Sequence, residues 1–178
     1  MPYNRPDKFF EDLTGLTPSP HQVEVLNAIK DDGIGIVLIT TTRGGGKTLL
    51  MAVAELWFVV IWSYIKGIKD LEIVTLSGSF EQSLQLYAYV KKFVYHPLVR
   101  EELVGEPKTT HCNFKRGYLK FLTTSDKQVT GKHPHILVVD EAAKVPDDIL
   151  HQAFSMIATD KRRKLIMAST PYEYTSLF

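Results

Sequence analysis

One cysteine in 178 residues leaves no internal disulfide to form: Cys112 stands alone, which fits a reducing cytosol. Neither sign of charge is in excess. Lys and Arg number 21 against 20 Asp and Glu, a net charge of +1. Bulk attraction to nucleic acid is therefore not built in, and any such contact has to come from a local patch. Repeats and low-complexity tracts are missing. No Ser–His–Asp or Cys–His nucleophile arrangement is legible, and no acidic cluster suggests a two-metal nuclease. His133 and His135 flank Pro134, and His111 precedes Cys112, but the further ligands of a zinc site are not at fitting spacing, so these residues read as structural. Met1 to Asp12 is polar and charged rather than basic and then apolar, so no secretory signal is expected.

What is present suits a single soluble domain over residues 1–178. Apolar residues make up 44% and charged residues 23%, near the globular average, and a chain of this length can bury a core without staples. The longest apolar run, Leu49 to Ile65, is slightly short for a membrane span and is interrupted by Glu55 and Ser63. It reads as a core helix covered on several sides, with no membrane partner expected.

Four of the nine prolines fall in the first twenty residues, and residues 1–18 read as an irregular lead-in. Ser19-Pro20-His21-Gln22 then opens a short helix, Ser19 as its N-cap and Pro20 in its first position. Gly35 to Thr40 is a continuous apolar run, the pattern of a strand buried on both faces. Leu71 to Leu76 predicts a second strand and Phe80 to Tyr95 a helix. Cys112–Phe114 and Tyr118–Leu122, around Lys115-Arg116-Gly117, predict a hairpin. Ile136 to Val139 and Lys164 to Ala168 predict two more strands, with a helix over 146–157 between them. Strands alternating with helices imply an α/β fold, with a mostly parallel central sheet and helices on both faces. Ligands of such sheets bind at the carboxyl ends of the strands.

Thr41-Thr42-Arg43-Gly44-Gly45-Gly46-Lys47-Thr48 lies between a predicted strand and a predicted helix. That is the setting of a phosphate-binding loop, and it makes the fold class a P-loop NTPase. Glycines let the backbone curl its N–H groups onto phosphate oxygens, and the helix that follows adds the positive end of its dipole. Thr42, Gly44, Gly45 and Gly46 form the turn, Lys47 reaches the β- and γ-phosphates of ATP, and the Thr48 hydroxyl ligates Mg²⁺. Thr41 stands where the G-x4-G-K-[ST] pattern has its first glycine. Arg43 either stabilises γ-phosphate charge or is a surface arginine.

Ile136-Leu137-Val138-Val139-Asp140-Glu141 is an apolar strand ending in two carboxylates. Asp140 at the tip can hold Mg²⁺, and Glu141 can orient or deprotonate the attacking water. Gln22 either reads an adenine edge with its amide or is a polar first-turn residue. Ser169 and Thr170, after the last predicted strand, either sense the γ-phosphate or form an ordinary strand-end turn. Lys115, Arg116 and Lys120, interleaved with Phe114, Tyr118 and Phe121, either touch a phosphate backbone or form the solvated face of a hairpin.

The order of these motifs over residues 18–172 resembles the ATPase domain of the large terminase subunit of tailed bacteriophages. The resemblance is carried by the arginine-bearing phosphate loop, Pro20-His21-Gln22, the Gly131-Lys132-His133-Pro134 lead into Asp140-Glu141-Ala142, and Ala168-Ser169-Thr170-Pro171. It implies ATP-driven translocation of double-stranded DNA into a procapsid, with Mg²⁺ as cofactor. It also implies a ring of subunits on a portal (monomeric in isolation), a small terminase subunit as partner and the host cytoplasm as location. Ser169 and Thr170 become the coupling residues, and Arg43, Lys47 and Glu141 the catalytic ones. Terminases often place a trans-acting arginine where this chain has Thr130; Lys127 and Lys132 are the candidates to stand in for it. Their C-terminal nuclease domain has no counterpart up to Phe178, so no nuclease activity is expected. Two other readings stay open: a helicase-like remodelling ATPase, and a non-catalytic nucleotide-binding regulator.

Overall fold

The computed structural model describes residues 3–42, 44–123, 134–159 and 163–170. Its centre is a seven-stranded sheet in the order β1-β7-β6-β2-β5-β4-β3. The strands are β1 (Ile36–Thr40), β2 (Leu71–Ser77), β3 (Leu103–Val104), β4 (His111–Phe114), β5 (Gly117–Thr123), β6 (Ile136–Asp140) and β7 (Lys164–Ser169). The first five in spatial order run parallel; β4 and β3 extend the sheet antiparallel through the hairpin expected around Arg116. Helices lie on both faces, as the alternation of patterns implies.

One face carries α1 (Pro6–Thr14), α2 (Pro20–Lys30), α3 (Lys47–Trp57) and α5 (Phe80–Phe93). Their apolar sides meet Ile73, Val138 and Ile166 of the sheet in one continuous core. The other face carries a short 3-10 turn (Ala142–Lys144) and α7 (Asp147–Thr159), packed on Val74, Leu76, Val139 and Met167. From α3 the chain passes through a π-helical turn (Phe58–Trp62) into one more helical turn, α4 (Ser63–Ile65). All side chains from Leu50 to Ser63 are buried, so this apolar run is the central core helix expected from Glu55, Ser63 and the glycine turn before it. After α5, a short α6 (Pro97–Arg100) is opened by His96, whose Nδ1 accepts from the Leu98 N–H at 3.3 Å.

Two expectations need correction. Residues 1–18 are not an irregular lead-in, because α1 occupies most of them. Pro6 sits at the start of the helix, where its missing N–H costs nothing, and Gly15 ends it in the left-handed region at φ 71°. Phe9, Phe10 and Leu13 are buried, one side of a helix by spacing. Nor is β1 buried on both faces. It is an edge strand: Val37 and Ile39 point into the core, while Ile36 and Leu38 are 41% and 57% exposed. The apolar run implies two-sided burial, but only one side is covered.

Phe9 is wholly buried and meets the Tyr3 ring edge-on, with centroids 6.0 Å apart. Phe9→Ala should therefore lower stability by about 3–5 kcal/mol in urea unfolding. A loss below about 0.5 kcal/mol would mean that α1 is not an integral part of the core.

Candidate functional site: a phosphate loop facing two strand tips

β1 ends at Thr40 and α3 begins at Lys47, so the glycine turn spans the gap at the carboxyl edge of the sheet. Gly44 and Gly46 take left-handed φ of 83° and 75°, which residues with a Cβ rarely adopt. A Cβ on Gly46 would lie 2.7 Å from the Gln22 Nε2, and one on Gly45 would collide with the Thr41 side chain. Thr41 thus fills the space that Gly45 leaves open, and its place in the loop is explained by contact rather than by backbone freedom. Gly46 caps the N-terminus of α3, where free N–H groups and the dipole favour an anion. Thr42 and Gly44 to Gly46 line this turn; Arg43 lies outside the described residues, as do Lys127, Thr130, Lys132, His133 and Pro171.

Lys47 is held from the opposite side. It is 9% exposed. Its Nζ donates to the Thr170 Oγ1 at 2.8 Å and lies 3.8 Å from the Glu141 Oε1. The loop lysine, the acidic end of β6 and the residue after β7 therefore converge. Ser169 adds a second tie: its Oγ accepts the Ala143 N–H at 3.2 Å and donates to the Thr170 carbonyl at 3.1 Å. The end of β7 is bonded both to the loop lysine and to the turn that follows Glu141.

Glu141 has φ 50° and ψ 50°, the one non-glycine residue with positive φ among the described residues. That backbone costs on the order of 1–3 kcal/mol and is retained where the surroundings require it. Here it turns the chain out of β6 while the carboxylate stays beside Lys47. Asp140 is 4% exposed, and its Oδ1 accepts the Glu141 N–H at 2.9 Å. Burial, and then the Glu141 charge, push its carboxyl up to about 6, with Lys47 and Lys144 opposing. No cationic side chain bonds or ion-pairs with Asp140 among the described residues. Asp140 is a buried carboxylate without its own cation, and Thr48 in the first turn of α3 carries a hydroxyl; both are hard oxygen donors. That chemistry fits Mg²⁺.

Gln22 takes the first-turn role, one of its two sequence readings. Its Oε1 accepts the Ser19 N–H at 2.9 Å and its own N–H donates to the Ser19 Oγ, a reciprocal helix cap. The remaining Nε2 lies against Gly46, so the N-terminus of α2 is packed onto the glycine turn. The basic hairpin group is engaged within the fold: Arg116 donates from Nε to the Ile68 carbonyl at 2.9 Å and stacks on Tyr64, and Lys115 pairs with Glu102 at 3.6 Å. Phe114 and Phe121 are buried. His135 directly precedes β6 and is tied to β2, its Nδ1 accepting the Glu72 N–H.

Sequence reasoning missed Glu55 as more than an interruption of an apolar run. It is 0% exposed, its Oε1 accepts from the Thr75 Oγ1 at 2.5 Å, and burial pushes its carboxyl up to about 8. A lone carboxylate inside an apolar helix was the available signal.

A family model described as the helicase domain of RNA cytidine acetyltransferase, NAT10/TcmA, matches residues 38–176. No curated protein matches the sequence. Among solved structures, the large terminase of bacteriophage HK97 superposes with a TM-score of 0.78 at 21% identity, over 93% of this chain and 37% of that one. The large terminase ATPase domain of Thermus phage P74-26 gives 0.74 at 17% identity, over 96% of this chain and 72% of that one. An ADP complex of the large terminase from another thermophilic bacteriophage gives 0.59 at 17% identity, over 85% of this chain and 38% of that one. At these identities the likeness establishes the fold, the one the sequence motifs implied; the chain spans 37% of the length of the HK97 protein.

Asp140 supplies a test of the site's electrostatics. Its folded value lies above its ordinary 3.8, so the stability it contributes is complete below 3.8 and is lost as pH rises through about 6. Asp140→Asn should match the wild-type melting temperature below pH 3.8 and exceed it increasingly toward pH 6. A difference that does not change with pH would place Asp140 in contact with water or a cation.

Proposed function

This chain belongs to the family of the RNA cytidine acetyltransferase NAT10/TcmA helicase domain, and we propose that it is an ATP-hydrolysing motor domain that works on nucleic acid as large terminases do. The observation that carries this reading is the convergence on Lys47: the phosphate loop, Glu141 and Thr170 meet at one buried cation. A turn built only for structure has no need to bring three separate segments to one ammonium.

The residues divide the work. The glycine turn and the start of α3 offer N–H groups to the phosphates. Lys47 holds the β- and γ-phosphates, and Arg43 adds a second positive group from within the loop. Thr48 and Asp140 hold Mg²⁺, which when bound neutralises charge developing on the phosphate oxygens. Glu141, beside Lys47 and one residue past Asp140, orients water and accepts its proton. Gln22, whose Nε2 lies at the loop, reads the adenine edge with its amide. The phosphates compete with Thr170 for Lys47, so nucleotide binding loosens the end of β7 and its loss restores the bond. Ser169 carries the same displacement to the turn after Glu141. This is how Ser169 and Thr170 couple hydrolysis to movement.

In this reading the movement drives double-stranded DNA into a procapsid. The subunits form a ring on the portal and act with a small terminase subunit in the host cytoplasm. The likeness to terminase ATPase domains over more than nine-tenths of the chain supports it, together with the sequence motifs above. The family match favours a second reading, a helicase-like ATPase that remodels nucleic acid. Turnover measured with linear double-stranded DNA and with structured RNA separates the two. Stimulation by the DNA alone favours packaging, and stimulation by RNA favours remodelling.

Two substitutions test the assignment. Glu141→Gln should keep nucleotide affinity and lower turnover by roughly 100-fold or more; hydrolysis at the wild-type rate would remove Glu141 from its role. Lys47→Ala should weaken ATP binding in a calorimetric titration, and unchanged affinity would refute the phosphate-loop assignment.

A further inference from the structure

Four buried polar side chains lie together in an otherwise apolar layer. Glu55 is on α3, Thr75 and Ser77 are on β2, and Asp140 ends β6; each is at most 4% exposed. Thr75 and Ser77 are two apart on one strand and so share a face. In the register of the sheet Thr75 lies beside Val138 and Ser77 beside Asp140. Ile73 and Val138, on the same face, belong to the core that also contains Leu50, Met51 and Val59 of the helix. Glu55 is therefore set against the strand whose tip adjoins Asp140.

On its own helix Glu55 stands two turns after Thr48, on the same side. Its Oε1 accepts from Thr75, the single side-chain hydrogen bond between α3 and β2 among the described residues. The Glu55 Oε2 and the Ser77 Oγ have no partner there. A carboxyl in such a place destabilises the fold relative to leucine unless it serves another purpose.

We propose that the Glu55–Thr75 hydrogen bond positions the nucleotide site: it sets the rotation and height of α3 against β2, and so holds the Thr48 hydroxyl in place relative to Asp140. The proposal rests on the nucleotide reading given above. Without the bond, α3 touches this strand only through apolar contacts, which resist sliding and rotation less than a directed bond does. Misplacement of a ligating hydroxyl by a fraction of an ångström is enough to weaken a metal–phosphate site.

The tie works through the uncharged acid. Burial pushes Glu55 up to about 8; Thr75 opposes this and the Asp140 charge adds to it. Cys112 on β4, itself in contact with the Tyr87 hydroxyl of α5, lies within range of the Glu55 charge, which adds to the burial that raises its thiol. An amide can accept the same bond from Thr75, so glutamine should replace Glu55 in function, whereas leucine, of similar volume, should not.

The test compares Glu55→Gln, Glu55→Leu and Thr75→Val with the wild type, reading affinity for a fluorescent ATP analogue with Mg²⁺ and, separately, thermal unfolding. Glu55→Gln should bind within about twofold of wild type. Glu55→Leu and Thr75→Val should each bind roughly ten- to a hundredfold more weakly while melting no lower than wild type, and combining them should add nothing. Thermal unfolding supplies a readout independent of nucleotide. The folded value of Glu55 lies above its ordinary 4.5, so its contribution to stability is lost as pH rises through about 8. The gain of Glu55→Gln over wild type should therefore grow from pH 5 to pH 8. Wild-type binding with an unaffected Glu55→Leu overturns this proposal alone, as does Glu55→Gln binding as weakly as Glu55→Leu. Failure of the wild-type chain to bind the analogue overturns the nucleotide reading and this proposal with it.

Discussion

Lys47 is an ammonium group held almost out of water at the start of α3, and its two partners come from strand ends far along the chain. Thr170 supplies the hydrogen bond and Glu141 the opposite charge. Neither partner is a neighbour in sequence, so the contact exists only if β1, β7 and β6 lie in the right order and register. The parallel pairing of Thr40 with Ser169 and of Asp140 with Ala168 provides that order. Everything chemical about the site follows from three strand ends being brought level at one edge. Elsewhere in the sheet the same strands contribute mainly apolar packing.

Polarity is concentrated at that edge at some cost in stability. A left-handed Glu141, a buried Asp140 displaced upward and a buried Glu55 without a cation each oppose folding when considered alone. They are offset by a continuous core in which α3 is covered by α1, α2, α5 and the sheet. The burial and repulsion felt by Asp140 are unfavourable electrostatics that a cation would relieve. On the proposed function, nucleotide binding and fold stability are parts of one balance.

Much of this was legible in the sequence. The glycine turn was identifiable because Gly44-Gly45-Gly46-Lys47-Thr48 follows an apolar run and precedes a helical one. The acidic tip was identifiable because Ile136 to Val139 lead directly into Asp140. What escaped depended on tertiary contact. α1 was hidden by prolines that sit at or outside its first turn, where they do no harm. The exposed side of β1 was hidden because an edge strand and a central strand carry the same apolar residues. Thr41 departs from the motif's first glycine, and only the tertiary contact with Gly45, which leaves room for its side chain, accounts for it. Glu55 looked like a flaw in an apolar helix because nothing in the order of residues shows that Thr75 lies opposite it.

The central claim is spatial: a triphosphate binds between the glycine turn and the ends of β6 and β7, and displaces Lys47 from Thr170. A crystal structure of the chain with a non-hydrolysable ATP analogue and Mn²⁺ in place of Mg²⁺ tests it directly, because the anomalous signal locates the metal. The metal is expected at the Thr48 hydroxyl on the side of Asp140, with the Lys47 Nζ on phosphate oxygens and the Thr170 hydroxyl released. A metal remote from both residues, or a bound nucleotide with Lys47 still bonded to Thr170, would contradict it.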